Sequence, residues 1–244
     1  MDQGGQHWQD LQDDEINYCD GATWTPAQWA RSVRGNAPGA REVLRARAEA
    51  SRPAWTALWA AVAPLAQTES FKLWFADSVA LNEDGKPQAL FHKTAASKDE
   101  FYCRPSHVSK EYGEDFGLGI YCWDAPDTAQ IYGDPGETIE GLNNSRVLPV
   151  YIHSCNPLVL SKGKELKSLW AQAGGEDAWR AMDPQQKTFF IQDLGYDSVL
   201  AHEWDQWVVF KPEQVRLATA ENADYAASLV EALLQHLLPA SEGL

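Results

Sequence analysis

From Glu69 onward the chain is written in short apolar runs broken by Gly, Pro, Asn and Asp, and this texture restricts the fold more than any other feature. The runs at 89–92, 119–123, 147–153, 198–201 and 207–210 are each of strand length, with turn residues on their flanks. Helical patterns fall between them at 125–132, 165–172 and 176–193, and a short helix at 71–76 precedes the turn cluster Asn82-Glu83-Asp84-Gly85-Lys86-Pro87. Strands and helices mixed in this way predict an α+β domain.

The part before Thr68 reads as helical. Thr25-Pro26-Ala27-Gln28 has the form of a capping box, with Thr25 as N-cap and Pro26 in the first helical position. After the break Gly35-Asn36-Ala37-Pro38-Gly39, residues 40–52 are rich in strong helix formers, and Pro53 opens a further helix. That second helix carries Trp55, Leu58, Trp59 and Val62 at the spacing of one apolar stripe, a core face rather than a ligand box. Arg41, Arg45, Arg47 and Arg52 make either a phosphate-binding face or a solvated one paired with Glu42 and Glu49. At the far end, 223–238 places Ala226, Leu229, Val230, Leu233 and Leu237 on one face of an amphipathic helix. The expected organisation is a helical accessory region at 1–68, a mixed domain at 69–219, and a C-terminal helix and tail at 220–244.

Charge narrows the function classes. The 244 residues carry a formal −15, and 44 % of them are hydrophobic, enough for a core and too many for a disordered chain. No Lys or Arg occurs before Arg31 or after Arg216. Ten acids in those flanks (Asp2, Asp10, Asp13, Asp14, Glu15, Asp20, Glu221, Asp224, Glu231, Glu242) leave the middle at only −5. Nucleic-acid binding by general electrostatics is disfavoured. Cys19, Cys103, Cys122 and Cys155 form no C-x-x-C pair, so they read as reduced thiols, without a metal site. No apolar run is of membrane-spanning length. MDQGGQHWQD lacks the basic and apolar regions of a secretory leader, so a cytoplasmic location, or delivery by a route without a signal peptide, is expected.

The common nucleotide and hydrolase signatures, G-x-G-x-x-G after a strand, G-x-x-x-x-G-K-[ST] and G-x-S-x-G, are absent. His202-Glu203 begins like a zinc-protease helix, but Gln206 stands where the second histidine belongs. What remains is an ordered set of segments. Phe71-Lys72-Leu73-Trp74-Phe75-Ala76-Asp77-Ser78 and Gly85-Lys86-Pro87 lead to Leu90-Phe91-His92-Lys93-Thr94. Then come Phe116-Gly117-Leu118-Gly119-Ile120-Tyr121, Ala129 and Tyr132, followed by Val150-Tyr151-Ile152 and Asn156-Pro157-Leu158. Gly195-Tyr196-Asp197-Ser198-Val199 and the run from Gln206 through Phe210 to Arg216 close the series.

In order and spacing this set resembles the ADP-ribosyltransferase domains of phage and bacterial polyvalent or toxin-like proteins, over about residues 69–219. Those domains belong to the His-Tyr-Glu branch, related to the diphtheria-toxin and poly-ADP-ribose polymerase catalytic fold. The resemblance implies a split β-sheet core and NAD consumed as a substrate, with no metal. It also implies transfer of one ADP-ribose to a macromolecular acceptor, protein before nucleic acid, by an effector of a bacterial or phage-infected cell with a cognate inhibitor or immunity protein. By the same resemblance His92 hydrogen-bonds the adenosine ribose, and Tyr121 and Tyr132 are the aromatic walls around nicotinamide. An aromatic face attracts a pyridinium by cation–π interaction. Gly117 and Gly119 either let backbone approach the ligand or form a bulge.

Two positions depart from the family's pattern. Lys93 replaces the glycine of His-Gly-Thr, where Thr94 keeps the third place; Lys93 either offers its backbone or pairs with the NAD pyrophosphate. Gln206 replaces the glutamate before the last strand, and a glutamine has no charge to set against an oxocarbenium ion. Glu203 is the nearest carboxylate, but strand alternation puts 203 and 206 on opposite faces unless the chain bends. Three functions therefore stand open: a transferase, a transferase-like module that binds NAD or a partner without turnover, and an NAD glycohydrolase.

Overall fold

The structure is a computed structural model and describes residues 40–94, 101–103, 116–132, 145–161, 163–202, 205–220 and 223–237, with backbone alone for 40–49, 131 and 132. Its first helix, α1 (Ala40–Ala66), runs unbroken through Pro53 and Pro64, where two helices were expected. A proline inside a helix forfeits one backbone hydrogen bond. Tertiary packing outweighs that loss here, because Leu58 and Val62 are almost wholly buried and α1 lies along the C-terminal helix. The expected stripe is only partly core, since Trp59 is exposed and stacks on Trp55 at 5.4 Å between ring centroids. The Thr25 helix start and the Arg41, Arg45 and Arg47 side chains lie outside the described residues; Arg52 is exposed.

α2 (Glu69–Phe75) is capped by Thr68, whose hydroxyl accepts from Phe71 N at 3.2 Å. Then follow β1 (Leu90–Thr94), β2 (Ile120–Trp123), α3 (Pro126–Tyr132), β3 (Arg146–Ile152) and β4 (Pro157–Leu160). The single helical pattern at 176–193 is two helices, α5 (Glu176–Ala181) and α6 (Pro184–Asp193), after α4 (Gly163–Gln172). Asp183 stops the first and starts the second with a reciprocal capping box: its carboxylate accepts from Gln186 N and Gln186 Oε1 accepts from Asp183 N. β5 (Ser198–Ala201), β6 (Gln206–Val209), β7 (Val215–Leu217) and α7 (Ala223–Leu237) complete the order.

The described strands form one seven-stranded sheet in the order β4-β5-β6-β2-β1-β3-β7. All its pairs are antiparallel except β4–β5, whose crossover is filled by α4, α5 and α6. The α+β expectation holds. β4 and β7, which lack the length and periodicity to declare themselves, extend the sheet at its two edges. The two halves of the sheet meet between β1 and β2, where Phe91 stands opposite Trp123. α7 buries Ala226, Val230, Leu233, Leu234 and Leu237 and packs against α1 and β3. Leu58 and Val62 of α1 belong to the same hydrophobic core as the sheet and α7. No described helix is long and apolar enough to cross a membrane.

Candidate active site

Most of the chemistry-bearing residues gather where β1 meets β2. His92, in the middle of β1, is buried, and its Nδ1 lies 2.8 Å from the carbonyl oxygen of Tyr121 on β2. A carbonyl only accepts, so Nδ1 carries the proton, and in the neutral ring Nε2 is the acceptor. Phe101 packs edge-on against the imidazole at 5.8 Å. The ring is therefore held in one tautomer and one orientation.

Tyr121 is also fixed at both ends. Its hydroxyl donates to Gly117 O at 2.8 Å and accepts from Phe116 N at 3.2 Å. The two glycines before it sit in close contact with neighbouring protein atoms. Gly117 has φ 101°, and a Cβ there would meet Thr188 Oγ1 at 2.4 Å and Pro184 O at 2.5 Å on α6. A Cβ on Gly119 would lie 2.4 Å from Val208 Cγ1. Leu118 N donates to Pro184 O and Thr188 Oγ1 to Leu118 O, so α6 clamps the approach to β2.

Register assigns the faces. Gln206, the first residue of β6, is opposite Trp123, and Val208 is opposite Tyr121. Paired residues of antiparallel strands project to the same side, so Tyr121 and Gln206 are diagonal neighbours, with about 7–8 Å between them. Lys93 shares their face; His92 and Thr94 have the opposite parity, and His92 is bonded to the Tyr121 carbonyl. Gln206 is 4 % exposed.

The chain does bend before β6. Asp205 has φ 47°, its N–H donates to His202 O at 3.3 Å, and its carbonyl accepts from Asp124 N at 3.3 Å. Strand alternation therefore stops at Asp205, which removes the geometric objection to its neighbour Glu203. Glu203 itself lies outside the described residues.

Around this centre, Lys93 Nζ donates to Gln130 O at 2.7 Å, one of the terminal carbonyls of α3 that lack a partner within the helix. Tyr132 is the last residue of α3, with its side chain outside the described residues. Thr94 ends β1, buried, opposite Arg146. In the first turn of α3, Asp127 and Thr128 are both buried; Thr128 N donates to Asp127 Oδ1, and Thr128 Oγ1 has no partner among the described residues. The sequence reading overlooked this hydroxyl. The only signal for it was an acid and a hydroxyl in a helix that starts directly after a buried strand.

A second cluster also went unread because its members are far apart in the chain. Asp77 Oδ1 lies 2.8 Å from His153 Nε2, and Cys155 Sγ lies 3.5 Å from the same nitrogen. The hydrogen bond from His153 holds the Asp77 carboxyl below its usual range. Desolvation and the Asp77 carboxylate push the Cys155 thiol up to about 11.

The family model described as ADP-ribosyltransferase in polyvalent proteins matches residues 82–225. No curated protein and no solved structure matches the chain. The matched span contains His92, Lys93, Thr94, Tyr121, Tyr132, Glu203 and Gln206.

Proposed function

The chain belongs to the ADP-ribosyltransferase family of polyvalent proteins, and on that premise we propose that the β1–β2 seam binds NAD and passes a single ADP-ribosyl unit to a macromolecular acceptor. The observation that supports this most is register: Gln206, buried at the start of β6, shares a sheet face with Tyr121. An amide at that position can hydrogen-bond ribose hydroxyls. In this reading His92 is assigned to the adenosine ribose, while the Tyr121 ring and Tyr132 flank the nicotinamide. Thr94 follows in the strand and Lys93 holds the end of α3, which keeps Tyr132 near the seam.

In the reaction the bond between the nicotinamide nitrogen and ribose C1′ breaks, and the leaving nicotinamide keeps the electron pair. The acceptor nucleophile bonds to C1′ and gives up its proton. Positive charge develops on the ribose meanwhile, so a fixed acceptor nearby accelerates the step only if it binds the transition state better than the ground state. Gln206 orients the ribose. Glu203, just before the turn at Asp205, supplies the negative charge that Gln206 lacks. In this reading His92, Tyr121 and the Gln206–Glu203 pair together fill the three places of the His-Tyr-Glu branch.

The acceptor we favour is a basic protein, because the acidic flanks repel nucleic acid and attract positive charge. An effector of this kind calls for a cognate inhibitor in the cell that makes it. Incubation of the full-length protein with labelled NAD and a cell lysate should label a macromolecule and release nicotinamide. A second reading, NAD binding without turnover, is favoured by the absence of charge on Gln206. Binding by calorimetry with no nicotinamide release would select it, and release into water without a labelled macromolecule would select NAD hydrolysis.

A further inference from the structure

We propose that Asp77, His153 and Cys155 bind a divalent transition ion of the zinc class, in a site separate from the seam. The three donor atoms, one carboxylate oxygen, Nε2 and Sγ, all lie within 4.8 Å of one another. The decisive detail is that Asp77 and Cys155 converge on the same ring nitrogen, at 2.8 and 3.5 Å. An acid–base relay needs the carboxylate and the thiol on opposite nitrogens of the ring, as in nucleophilic triads. Two groups directed at one nitrogen make instead the arrangement of donors around a common centre. Donors of a tetrahedral zinc site stand about 3.3–3.6 Å apart, given metal–ligand distances of about 2.0–2.3 Å. The sulfur–nitrogen separation already has that value, and the oxygen must retreat by about half an ångström.

The surrounding chain is built to hold these donors still. His153 N donates to Gln214 O at 2.7 Å, and its carbonyl accepts from Gln214 Nε2 at 3.0 Å. Asp197 accepts from the N–H groups of Cys155 and Asn156 at 2.7 and 3.1 Å, which fixes the turn that carries the sulfur. Ser78, next to Asp77, is tied by its hydroxyl to Ile152 O and Ser154 N. Trp74 lies against the imidazole at 5.8 Å. Such supporting contacts are what orient metal ligands. On binding, the Cys155 thiol releases its proton to solvent as the sulfur–metal bond forms, and the imidazole and carboxylate each donate a lone pair. Three protein ligands leave a fourth position for water.

The place of the site suggests its role. It joins the segment after α2 to the end of β3 and the start of β4, whereas His92 and Gln206 pair with Leu148 and Ala201 near the other ends of β3 and β5. A metal here would fasten α2 to the sheet rather than take part in chemistry at the seam.

The test uses the full-length protein, stripped with a chelator and titrated with Co2+, whose thiolate complexes absorb in the near ultraviolet. The expected result is a saturable charge-transfer band and a rise of several degrees in the thermal midpoint. Cys155→Ser should abolish the band, and Asp77→Asn should weaken Co2+ binding by about tenfold or more. Both side chains are exposed, so circular dichroism of each variant should match the parent. No band at saturating Co2+, or an undiminished band in Cys155→Ser, overturns the proposal.

Discussion

Gln206 is where residue chemistry bears most directly on function. It is buried on the same sheet face as Tyr121, at the position proposed to lie against the ribose. If the ribose charge develops there, Gln206→Glu should raise nicotinamide release by about tenfold or more, since a fixed charge in a dry site is worth at least that in rate. A rate unchanged or lowered by the added carboxylate would count against this placement. Gly117 gives a test of structure. At φ 101°, with α6 atoms at 2.4 and 2.5 Å from an added Cβ, Gly117→Ala should cost about 3 kcal/mol in denaturant unfolding. The sequence made His92, Tyr121 and Gln206 visible through the order of the segments around them. It could not reveal the tautomer of His92, because that depends on a carbonyl 29 residues away. Nor could it show how closely α6 approaches Gly117 and Val208 approaches Gly119.

Elements were legible where a local rule decided them and illegible where a neighbour did. Seven helices and seven strands occur among the described residues, and the five apolar runs all became strands. Missing were β4 and β7, four and three residues long, which exist because a neighbouring strand offers them backbone partners. α1 passes through Pro53 for the same kind of reason, since its buried face is held by α7 and the sheet. The break between α5 and α6 is the opposite case. Asp183-Pro184-Gln185-Gln186 was a readable start signal that the longer helical pattern obscured. Asp183→Ala should cost about 1 kcal/mol, measured as a shift in the denaturant midpoint at constant slope. Because α6 clamps Gly117 and Leu118, the same variant should also loosen the approach to Tyr121.

At the scale of the molecule, Gln214 links parts that the chain separates widely. Its oxygen accepts from Phe210 and Lys211 N–H, and its nitrogen donates to the carbonyls of His153 and Asp197. One buried side chain thus ties the end of β6 to the end of β3 and the start of β5. Gln214→Ala should destabilise the fold by about 3 kcal/mol, seen as a fall of several degrees in the thermal midpoint. The charge pattern also acts at this scale: the segments before Arg31 and after Arg216 hold no Lys or Arg and ten acids, and the seam lies between them. Asp77, His153 and Cys155 show what only tertiary structure supplies, a donor set drawn from positions more than seventy residues apart. The central claim is that the seam consumes NAD. It is tested most directly by nicotinamide release from NAD by the purified full-length protein and its His92→Ala variant. The wild type should release nicotinamide, and the variant, folded by circular dichroism, should release it far more slowly. A folded wild type that releases none, or a variant that releases it at the same rate, would contradict the account.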